Sequence, residues 1–313
     1  MAVDLRVELA PPRGGQAGLR LKNPILVASG TFGYGVEFAD VVDLNRLGGV
    51  VVKGLSAQPM DGAPPPRLCE TPAGMLNAVG LQNIGVRRFI EEKLPALRAY
   101  DTAVIANVFG HTVEEYVEVI TELEKAEGLA AYELNISCPN VRKGGVQFGL
   151  DPPLTREVTA AARGAARRRP LIVKLSPNVT DIAEIARAAE QAGADALSAV
   201  NTFTGMAIEL ASRRSRLGQA TGGLSGPAIK PLALRMVWEV GRAVRLPVIG
   251  LGGISSGEDA AEFLVAGARA VQVGTANFVQ PFAPLRILKE LETYCESNKI
   301  ARVSELCGTL PGD

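Results

Sequence analysis

Short apolar runs rich in β-branched residues recur along the whole chain, and each ends in a polar residue or glycine. Continuous apolar runs of this length are typical of strands buried on both faces of a parallel sheet. The eight runs are Pro24–Gly30, Gly49–Gly54, Val104–Gly110, Ala131–Pro139, Leu171–Ser176, Ala196–Thr202, Pro247–Gly253 and Ala270–Ala276. Because no Pro/Gly/Ser-rich linker divides the series, the pattern predicts one domain over residues 1–313.

Segments with helical periodicity lie between several of these runs. Thr112–Ala126 places its apolar residues along one stripe, with acidic residues and a lysine opposite. Thr180–Ala192 and Ser256–Ala266 each begin with N-capping residues and end before a glycine. Strands that alternate with helices in this way predict an α/β protein, a single (β/α)8 TIM barrel. A doubly wound parallel sheet is the alternative.

Three further segments modify this simple barrel. Val3–Leu9 and Leu19–Lys22 alternate with period two around a turn-rich stretch, and we interpret them as a β-hairpin that closes the N-terminal end of the barrel. Leu55–Ala103 and Phe203–Ala228 are too long for simple connections. Long insertions on barrels usually cover or shape a site, so we expect both to lie over the C-terminal mouth.

Polar and glycine residues follow the predicted strands at equivalent positions. In barrel enzymes the catalytic groups lie at the C-terminal ends of strands, so these residues are predicted to converge on one mouth. A single asparagine there is more often a turn former, but a recurring set is harder to explain by turn chemistry. The residues are Ser29-Gly30, Lys53-Gly54, Asn107, Asn135 with Cys138, Lys174, Asn201-Thr202, Gly252-Gly253 and Gly274-Thr275.

The seventh and eighth strands end in Gly252-Gly253 and Gly274-Thr275, each ahead of a helical segment. Barrels bind phosphate at this place through backbone N–H groups that glycine leaves accessible. Tight turns are the simpler explanation, but the two pairs together favour phosphate binding. Neither GTFGYG nor GLGGISSG fits the dinucleotide fingerprint, so the phosphate is expected to belong to a mononucleotide cofactor.

Lys53 and Lys174 interrupt otherwise apolar strands. A buried ammonium needs an anionic or polar partner. An ion pair with a carboxylate would suffice, but neither strand end offers an adjacent acid. An anionic cofactor or substrate is therefore expected beside them.

Cys138 follows a predicted strand and precedes a polar, glycine-containing stretch. A free cysteine is most often an inert small hydrophobe, which is the expectation for Cys69, Cys295 and Cys307. The loop setting of Cys138 makes a reactive thiol an equal alternative. The chain has one histidine, His111, which excludes a His-rich metal site and disfavours a His-based triad.

Net charge, targeting signals and cysteine content indicate which partners and which cellular compartment to expect. The 33 basic and 33 acidic residues give zero net charge, which argues against a nucleic-acid-binding role. The chain shows neither a signal peptide nor an apolar run long enough to span a membrane, so a cytoplasmic protein is expected. The four dispersed cysteines predict no disulfide framework, and no metal site is expected. We expect the basic run 167–169 to be a solvated helix end.

Ten short blocks, in order and at barrel spacing, give the chain a recognisable signature. They are KNPILVASGTFGYG, KGLS, ETPAGMLNAVGLQN, IANV, ELNISCPNV, VKLSPNVTDI, VNT, GGLSGPAIKP, IGLGGI and VGTANF. Through them the sequence resembles class 1 dihydroorotate dehydrogenases over nearly its whole length. CPNVRKGGVQFG and TGGLSGPAIKP are more similar to the NAD-linked type B subgroup than to the fumarate-using type A.

The resemblance implies a barrel that binds one FMN and oxidises (S)-dihydroorotate to orotate in pyrimidine biosynthesis. Cys138 would be the base that removes the C5 proton, while hydride passes from C6 to the flavin. It also implies two sets of contacts. Those to FMN are Ser29, Lys53, Gly54, Asn107, Asn135, Lys174, Val200, Gly226, Gly252, Gly253, Gly274 and Thr275. Those to the substrate are Lys53, Asn77, Ala78, Val79, Gly80, Leu81, Asn135, Asn201 and Thr202.

Type B relatives pass electrons to NAD through a second subunit that carries FAD and a [2Fe–2S] cluster. The resemblance therefore implies a heterotetramer of two catalytic and two electron-transfer subunits, with a homodimeric catalytic core. Three alternatives remain: a type A enzyme that uses fumarate, a related FMN-dependent dihydropyrimidine oxidoreductase, and a binding module for a phosphate-bearing ligand.

Overall fold

The computed structural model describes residues 3–137 and 147–311. The strands in these ranges are β1 (Val7–Ala10), β2 (Leu19–Leu21), β3 (Ile25–Val27), β4 (Gly49–Val51), β5 (Leu68–Thr71), β6 (Gly74–Asn77), β7 (Ala103–Val108), β8 (Ala131–Asn135), β9 (Leu171–Lys174), β10 (Ala196–Ala199), β11 (Phe203–Gly205), β12 (Ile208–Glu209), β13 (Arg214–Ser215), β14 (Gly222–Ser225), β15 (Val248–Leu251) and β16 (Ala268–Val273). Eight of them form the closed barrel, and the others form the hairpin and the insertions.

The helices pack around the barrel. They are α1 (Val86–Arg88), α2 (Leu94–Leu97), α3 (Val113–Glu124), α4 (Pro152–Ala165), α5 (Ile182–Gln191), α6 (Lys230–Ala243), α7 (Gly257–Val265), α8 (Ala276–Val279) and α9 (Ala283–Ser297). A π-helical turn, Phe89–Lys93, joins α1 to α2. In the described part of the chain, none of the helices combines the length and the apolar character that crossing a membrane requires.

The three helices predicted from periodicity begin at side-chain caps, which the sequence predicted for α5 and α7 but not for α3. The side chain of Thr112 accepts a hydrogen bond from a first-turn N–H of α3, and Asp181 does the same for α5. Ser256 and Asp259 form a capping box at the start of α7. These caps satisfy backbone donors that a helix start leaves free, which fixes where each helix begins.

The barrel is closed by eight parallel strands in the order β10-β15-β16-β3-β4-β7-β8-β9. Each overlaps one of the eight apolar runs, so the predicted (β/α)8 barrel is confirmed and the doubly wound alternative is wrong. Strand residues face either the barrel interior or the helices, and most are buried. This explains why the runs are continuously apolar rather than alternating.

The N-terminal hairpin lies at the end of the barrel where the strands begin. β1 pairs antiparallel with β2, as predicted. In the turn, Gln16 donates to the Asp195 carboxylate at 2.9 Å, and the Ala17 N–H donates to the Arg168 carbonyl at 2.9 Å. Asp195 and Arg168 lie just before β10 and β9 respectively, so the hairpin closes this end.

The two insertions pair with each other at the opposite end. β5 and β6 come from the first insertion and β11 and β14 from the second, and they form one antiparallel sheet in the order β11-β14-β6-β5. We call this the insertion sheet. The side-chain amide of Asn77 also donates to the Gly223 carbonyl at 3.1 Å. The sequence pattern predicts each insertion but not this pairing.

The prediction that the basic run 167–169 is solvated is wrong for Arg169. Its side chain is buried and donates to the carbonyls of Leu123 and Leu129 and to the hydroxyl of Tyr132. The Glu124 carboxylate lies 3.8 Å from its guanidinium. Arg169 therefore caps the end of α3 and ties it to β8, because last-turn carbonyls need donors.

Candidate active site

A cavity of about 690 Å³ opens where the barrel strands end. This volume is within the usual range for small-molecule and cofactor sites. Every predicted binding residue lines it: Ser29, Lys53, Gly54, Asn77, Ala78, Val79, Gly80, Leu81, Asn107, Asn135, Lys174, Val200, Asn201, Thr202, Gly226, Gly252, Gly253, Gly274 and Thr275. The barrel and the insertion sheet thus bring together residues that are far apart in sequence.

Cys138, the predicted catalytic base, lies outside the described residues, as do residues 139–146 of the stretch that follows it. Ser137, its neighbour in sequence, lines the cavity. The role of the thiol therefore remains a prediction.

The partner of Lys174 is a carboxylate, contrary to the expectation that no acid is adjacent. Glu133 on β8 is fully buried, and its Oε1 atom lies 3.9 Å from the Lys174 Nζ atom on β9. The prediction failed because it considered the strand ends alone, whereas Glu133 lies two residues before the end of its strand. Lys174 is itself buried and lines the cavity.

Glu133 also accepts three hydrogen bonds from other strands. Asn107 on β7 donates to Oε1 at 2.8 Å, and Ser198 on β10 and Gln272 on β16 donate to Oε2 at 2.9 and 2.6 Å. A buried carboxylate needs such compensation, because burying it unpaired is energetically costly. Asn107, Lys174 and Gln272 line the cavity, so we call them, with Glu133 and Ser198, the floor network.

A second polar group consists of asparagine side chains. The Asn201 amide donates to the Asn135 side-chain carbonyl at 3.2 Å and to the Ser137 hydroxyl at 3.0 Å. Asn77 reaches the same cavity from the insertion sheet. A primary amide both donates and accepts hydrogen bonds, so this group is suited to a ligand that itself contains amide or imide groups.

Lys53 provides a positive charge at the cavity. Burial lowers the pKa of its ammonium, and the nearby charge of Arg67 lowers that pKa further. Across residues 3–137 and 147–311, no carboxylate forms an ion pair with Lys53. Its desolvation is thus uncompensated by the described chain, and an anionic ligand would relieve it.

Glycine-containing turns form the other end of the cavity. A Cβ atom at Gly252 would lie 2.5 Å from Ala233, and one at Gly226 would lie 2.7 Å from Gly74. Both glycines have positive φ angles, so the fold itself requires them. At Gly274 an added Cβ would lie 3.7 Å from Ala28, an ordinary van der Waals contact, so the fold itself does not require glycine here.

Arg286 adds a guanidinium to this end. It lines the cavity, donates to the Ser255 carbonyl at 2.9 Å and pairs with the Glu290 carboxylate at 2.6 Å. Its Nε atom is buried without a hydrogen-bond partner among the described residues. A guanidinium N–H left free next to glycine turns is suited to binding an anion such as phosphate.

Sequence reasoning missed several residues of this site. Glu133 and Gln272 are single polar residues inside apolar strands, and the same signal that identified Lys53 and Lys174 could have found them. Asn178 and Arg286 also line the cavity, but they lie in a loop and on a helix of mixed composition. Nothing in the local pattern distinguishes those two from ordinary surface residues.

A parallel barrel with a cavity at its C-terminal mouth, into which lysine and asparagine side chains project, is typical of enzymes of the (β/α)8 class. The family model for dihydroorotate dehydrogenase matches residues 15–294. The chain therefore belongs to the dihydroorotate dehydrogenase family, which confirms the resemblance found in the sequence.

Individual relatives cover nearly the whole chain. A protein of Solibacter usitatus, provisionally named dihydroorotate dehydrogenase A (fumarate), is 62% identical over 94% of this chain and 96% of its own length. Several other relatives are named as the catalytic subunit of dihydroorotate dehydrogenase B (NAD(+)). That of Geotalea uraniireducens is 57% identical over 98% of both chains. That of Pelobacter propionicus is 58% identical over 94% of this chain and 96% of its own.

Replacing Lys53 with methionine is expected to raise the thermal unfolding midpoint at neutral pH, because the folded state then no longer holds a desolvated ammonium. The unfolding midpoint of the wild-type protein should approach that of the variant as the pH rises from the lowered pKa of Lys53 toward 10.5, the value for a free lysine. Over that range the unfolded chain binds more protons than the folded chain, so wild-type stability increases with pH. Calorimetric scans of both proteins from neutral to alkaline pH measure this.

Lys125→Met is the matched control, because Lys125 forms an exposed ion pair with Glu122. Such a pair contributes about 0–1 kcal/mol, so this variant should show little change. A Lys53→Met protein that unfolds at a lower temperature than the wild type at neutral pH would contradict the assignment of Lys53 as an uncompensated charge.

Proposed function

We propose that this chain catalyses the FMN-dependent oxidation of (S)-dihydroorotate to orotate in the synthesis of pyrimidines. The observation that carries the proposal is the combination of three chemistries around one cavity: asparagine amides, the half-buried Lys53 with the buried Lys174, and a glycine-lined end with a free guanidinium N–H. The family membership of the chain supports the same reaction.

The residues present fit FMN. The Gln272 side-chain carbonyl is buried without a partner among the described residues and lines the cavity, so it can accept a hydrogen bond from a ligand donor. The absence of a side chain at Gly274, where it lines the cavity, and the unpaired Arg286 nitrogen suit a phosphate. We propose that the cofactor is held by Ser29, Lys53, Gly54, Asn107, Asn135, Lys174, Val200, Gly226, Gly252, Gly253, Gly274 and Thr275.

The substrate carries a carboxylate and a ring with amide and imide groups. Lys53 would bind the carboxylate, which would compensate its own desolvation. The amides of Asn77, Asn135 and Asn201 would bind the ring, since each can donate and accept. We propose that the complete substrate set is Lys53, Asn77, Ala78, Val79, Gly80, Leu81, Asn135, Asn201 and Thr202.

Cys138 would act as the general base. Its Sγ atom would take the proton from C5 of dihydroorotate, since a thiol with an ordinary pKa of about 8.5 needs little adjustment to act near neutral pH. FMN, when bound, supplies the acceptor for the hydride that leaves C6. Loss of the proton and the hydride leaves the C5–C6 double bond of orotate.

We propose NAD as the final electron acceptor, reached through a separate subunit that carries FAD and a [2Fe–2S] cluster. Two relatives named as catalytic subunits of NAD(+)-linked enzymes support this assignment. Phe278 and Val279 line the cavity, Phe282 follows them three residues later, and the three are 49%, 78% and 53% exposed. Such an apolar patch supports a contact with another protein. The assembly would contain two copies of each subunit around a homodimeric core, in the cytoplasm.

Fumarate is the second candidate acceptor. The relative that is 62% identical carries the name of a fumarate-linked enzyme. The two candidates share the cavity chemistry and differ only in how electrons leave the reduced cofactor.

Replacing Cys138 with serine is expected to slow flavin reduction by dihydroorotate at least about 10²-fold at neutral pH, because a serine hydroxyl, unlike a thiol, hardly ionises in this pH range and so supplies almost no anionic base. The FMN content should not change. Rapid-mixing absorbance at the flavin band measures the rate. Cys307→Ser is the control, since Cys307 does not line the cavity and should reduce at the wild-type rate. Wild-type kinetics in Cys138→Ser would remove this thiol from the mechanism.

Replacing Gly274 with alanine is expected to weaken FMN binding at least about tenfold, equivalent to about 1.4 kcal/mol, while the thermal stability of the apoprotein stays unchanged. The reason is that the added methyl group fits the surrounding protein in ordinary contact but lies at the wall of the cavity. Fluorescence titration of the apoprotein with FMN measures the affinity. Gly164→Ala on α4, where an added Cβ meets nothing within 4 Å, should bind FMN normally. Equal affinities in the two variants would contradict a cofactor at Gly274.

The acceptor is tested by assaying the purified chain with dihydroorotate, alone and with a co-purified electron-transfer subunit, using NAD and fumarate in parallel. We expect NAD reduction only when the partner is present, because the chain shows no dinucleotide fingerprint of its own. Rapid turnover with fumarate by the isolated chain would replace the NAD assignment with the second candidate.

A further inference from the structure

A fully buried carboxylate lies inside the barrel directly beneath the cavity. Glu133 is 0% exposed, and its contacts come from four other barrel strands: β7, β9, β10 and β16. Three hydrogen bonds and one ion pair converge on its two oxygen atoms. The reaction proposed above does not use this residue.

The contact with Lys174 differs from the other three. At 3.9 Å the two charges attract each other, but the separation is longer than a hydrogen bond. Glu133 therefore neutralises part of the lysine charge and does not occupy its N–H donors. Those donors remain available to a ligand in the cavity, which Lys174 lines.

The contact with Gln272 fixes the orientation of an amide. Because the Nε2 atom donates to Glu133 at 2.6 Å, the side-chain carbonyl must point elsewhere. That carbonyl oxygen is buried and has no partner within the described ranges. A neutral group in place of the carboxylate would allow the amide to turn over and present a donor instead.

We propose that Glu133 is a positioning residue that sets the charge and the hydrogen-bonding pattern of the cavity floor. It keeps Asn107 and Gln272 in fixed orientations and partly compensates the charge of Lys174. The inference rests on the proposed function in one respect, namely that FMN is the group bound above this floor.

The charge of Glu133 has a definite effect on such a cofactor. Reduced flavin carries an additional negative charge at neutral pH, and a carboxylate nearby in a low-dielectric interior disfavours it. Lys174 has the opposite effect. Glu133 therefore lowers the midpoint potential of the bound flavin and keeps it ready to pass electrons on.

Glu133→Gln tests this directly, since the two side chains have nearly the same shape. We expect the equilibrium constant for two-electron reduction of the bound flavin to rise about tenfold, which corresponds to about 30 mV. The midpoint potential is measured by reduction of the holoenzyme against a reference dye, independently of turnover. The control is Ser198→Ala, which removes one hydrogen bond to Glu133 but keeps its charge and should leave the potential near the wild-type value.

A potential that is unchanged or lower in a Glu133→Gln protein with normal FMN content would overturn the inference. If that variant does not retain FMN, Lys174→Met is compared with the double variant Glu133→Gln, Lys174→Met. Removing both members of a buried pair is tolerated better than removing one, and the same upward shift is expected between these two proteins. Wild-type protein that binds no FMN would instead refute the proposed function, so the two failures are distinguishable.

Discussion

Closure of the eight-stranded barrel determines where every functional group of this protein lies. Because all eight strands are parallel and hydrogen-bonded to two neighbours, their C-terminal ends must meet at one mouth. Lys53 and Gly274 thus line the same cavity although they follow the second and eighth strands of the barrel. The ladder of backbone hydrogen bonds, rather than any contact between these side chains, brings them together.

Much of this arrangement follows from the sequence because the strands are short and apolar and their ends are polar. The residues that end the apolar runs include Asn107, Asn135 and Lys174, and all three line the mouth as predicted. Glu133 interrupts an apolar strand as Lys174 does, so its position could have been found in the same way, but its partners come from other strands and no local pattern reveals them. The prediction for Arg169 is wrong for a related reason, since its burial depends on the carbonyls that end α3 and on Tyr132.

Removing the charged side chains of the site from water is energetically costly, and protein groups offset this cost for some of them and not for others. Glu133 is fully satisfied by protein groups, and it holds the floor network rigid. Among the described residues, the desolvation of Lys53 is not compensated by an acid, and the Nε–H group of Arg286 has no acceptor. A bound anion would provide both. At Lys53 the cost of desolvating the ammonium in the fold is the counterpart of affinity for an anion, which is the usual relation between a binding site and the fold that supports it.

The insertion sheet has an evolutionary consequence. Its central pair, β6 and β14, places Leu76 opposite Leu224, and Asn77 opposite Gly223 although these two are 146 residues apart. Neither insertion could be exchanged alone between related barrels without disrupting this register, because a slip of one residue turns every side chain to the opposite face. The two insertions should therefore be inherited and diversify as a single module, even though several barrel strands separate them along the chain.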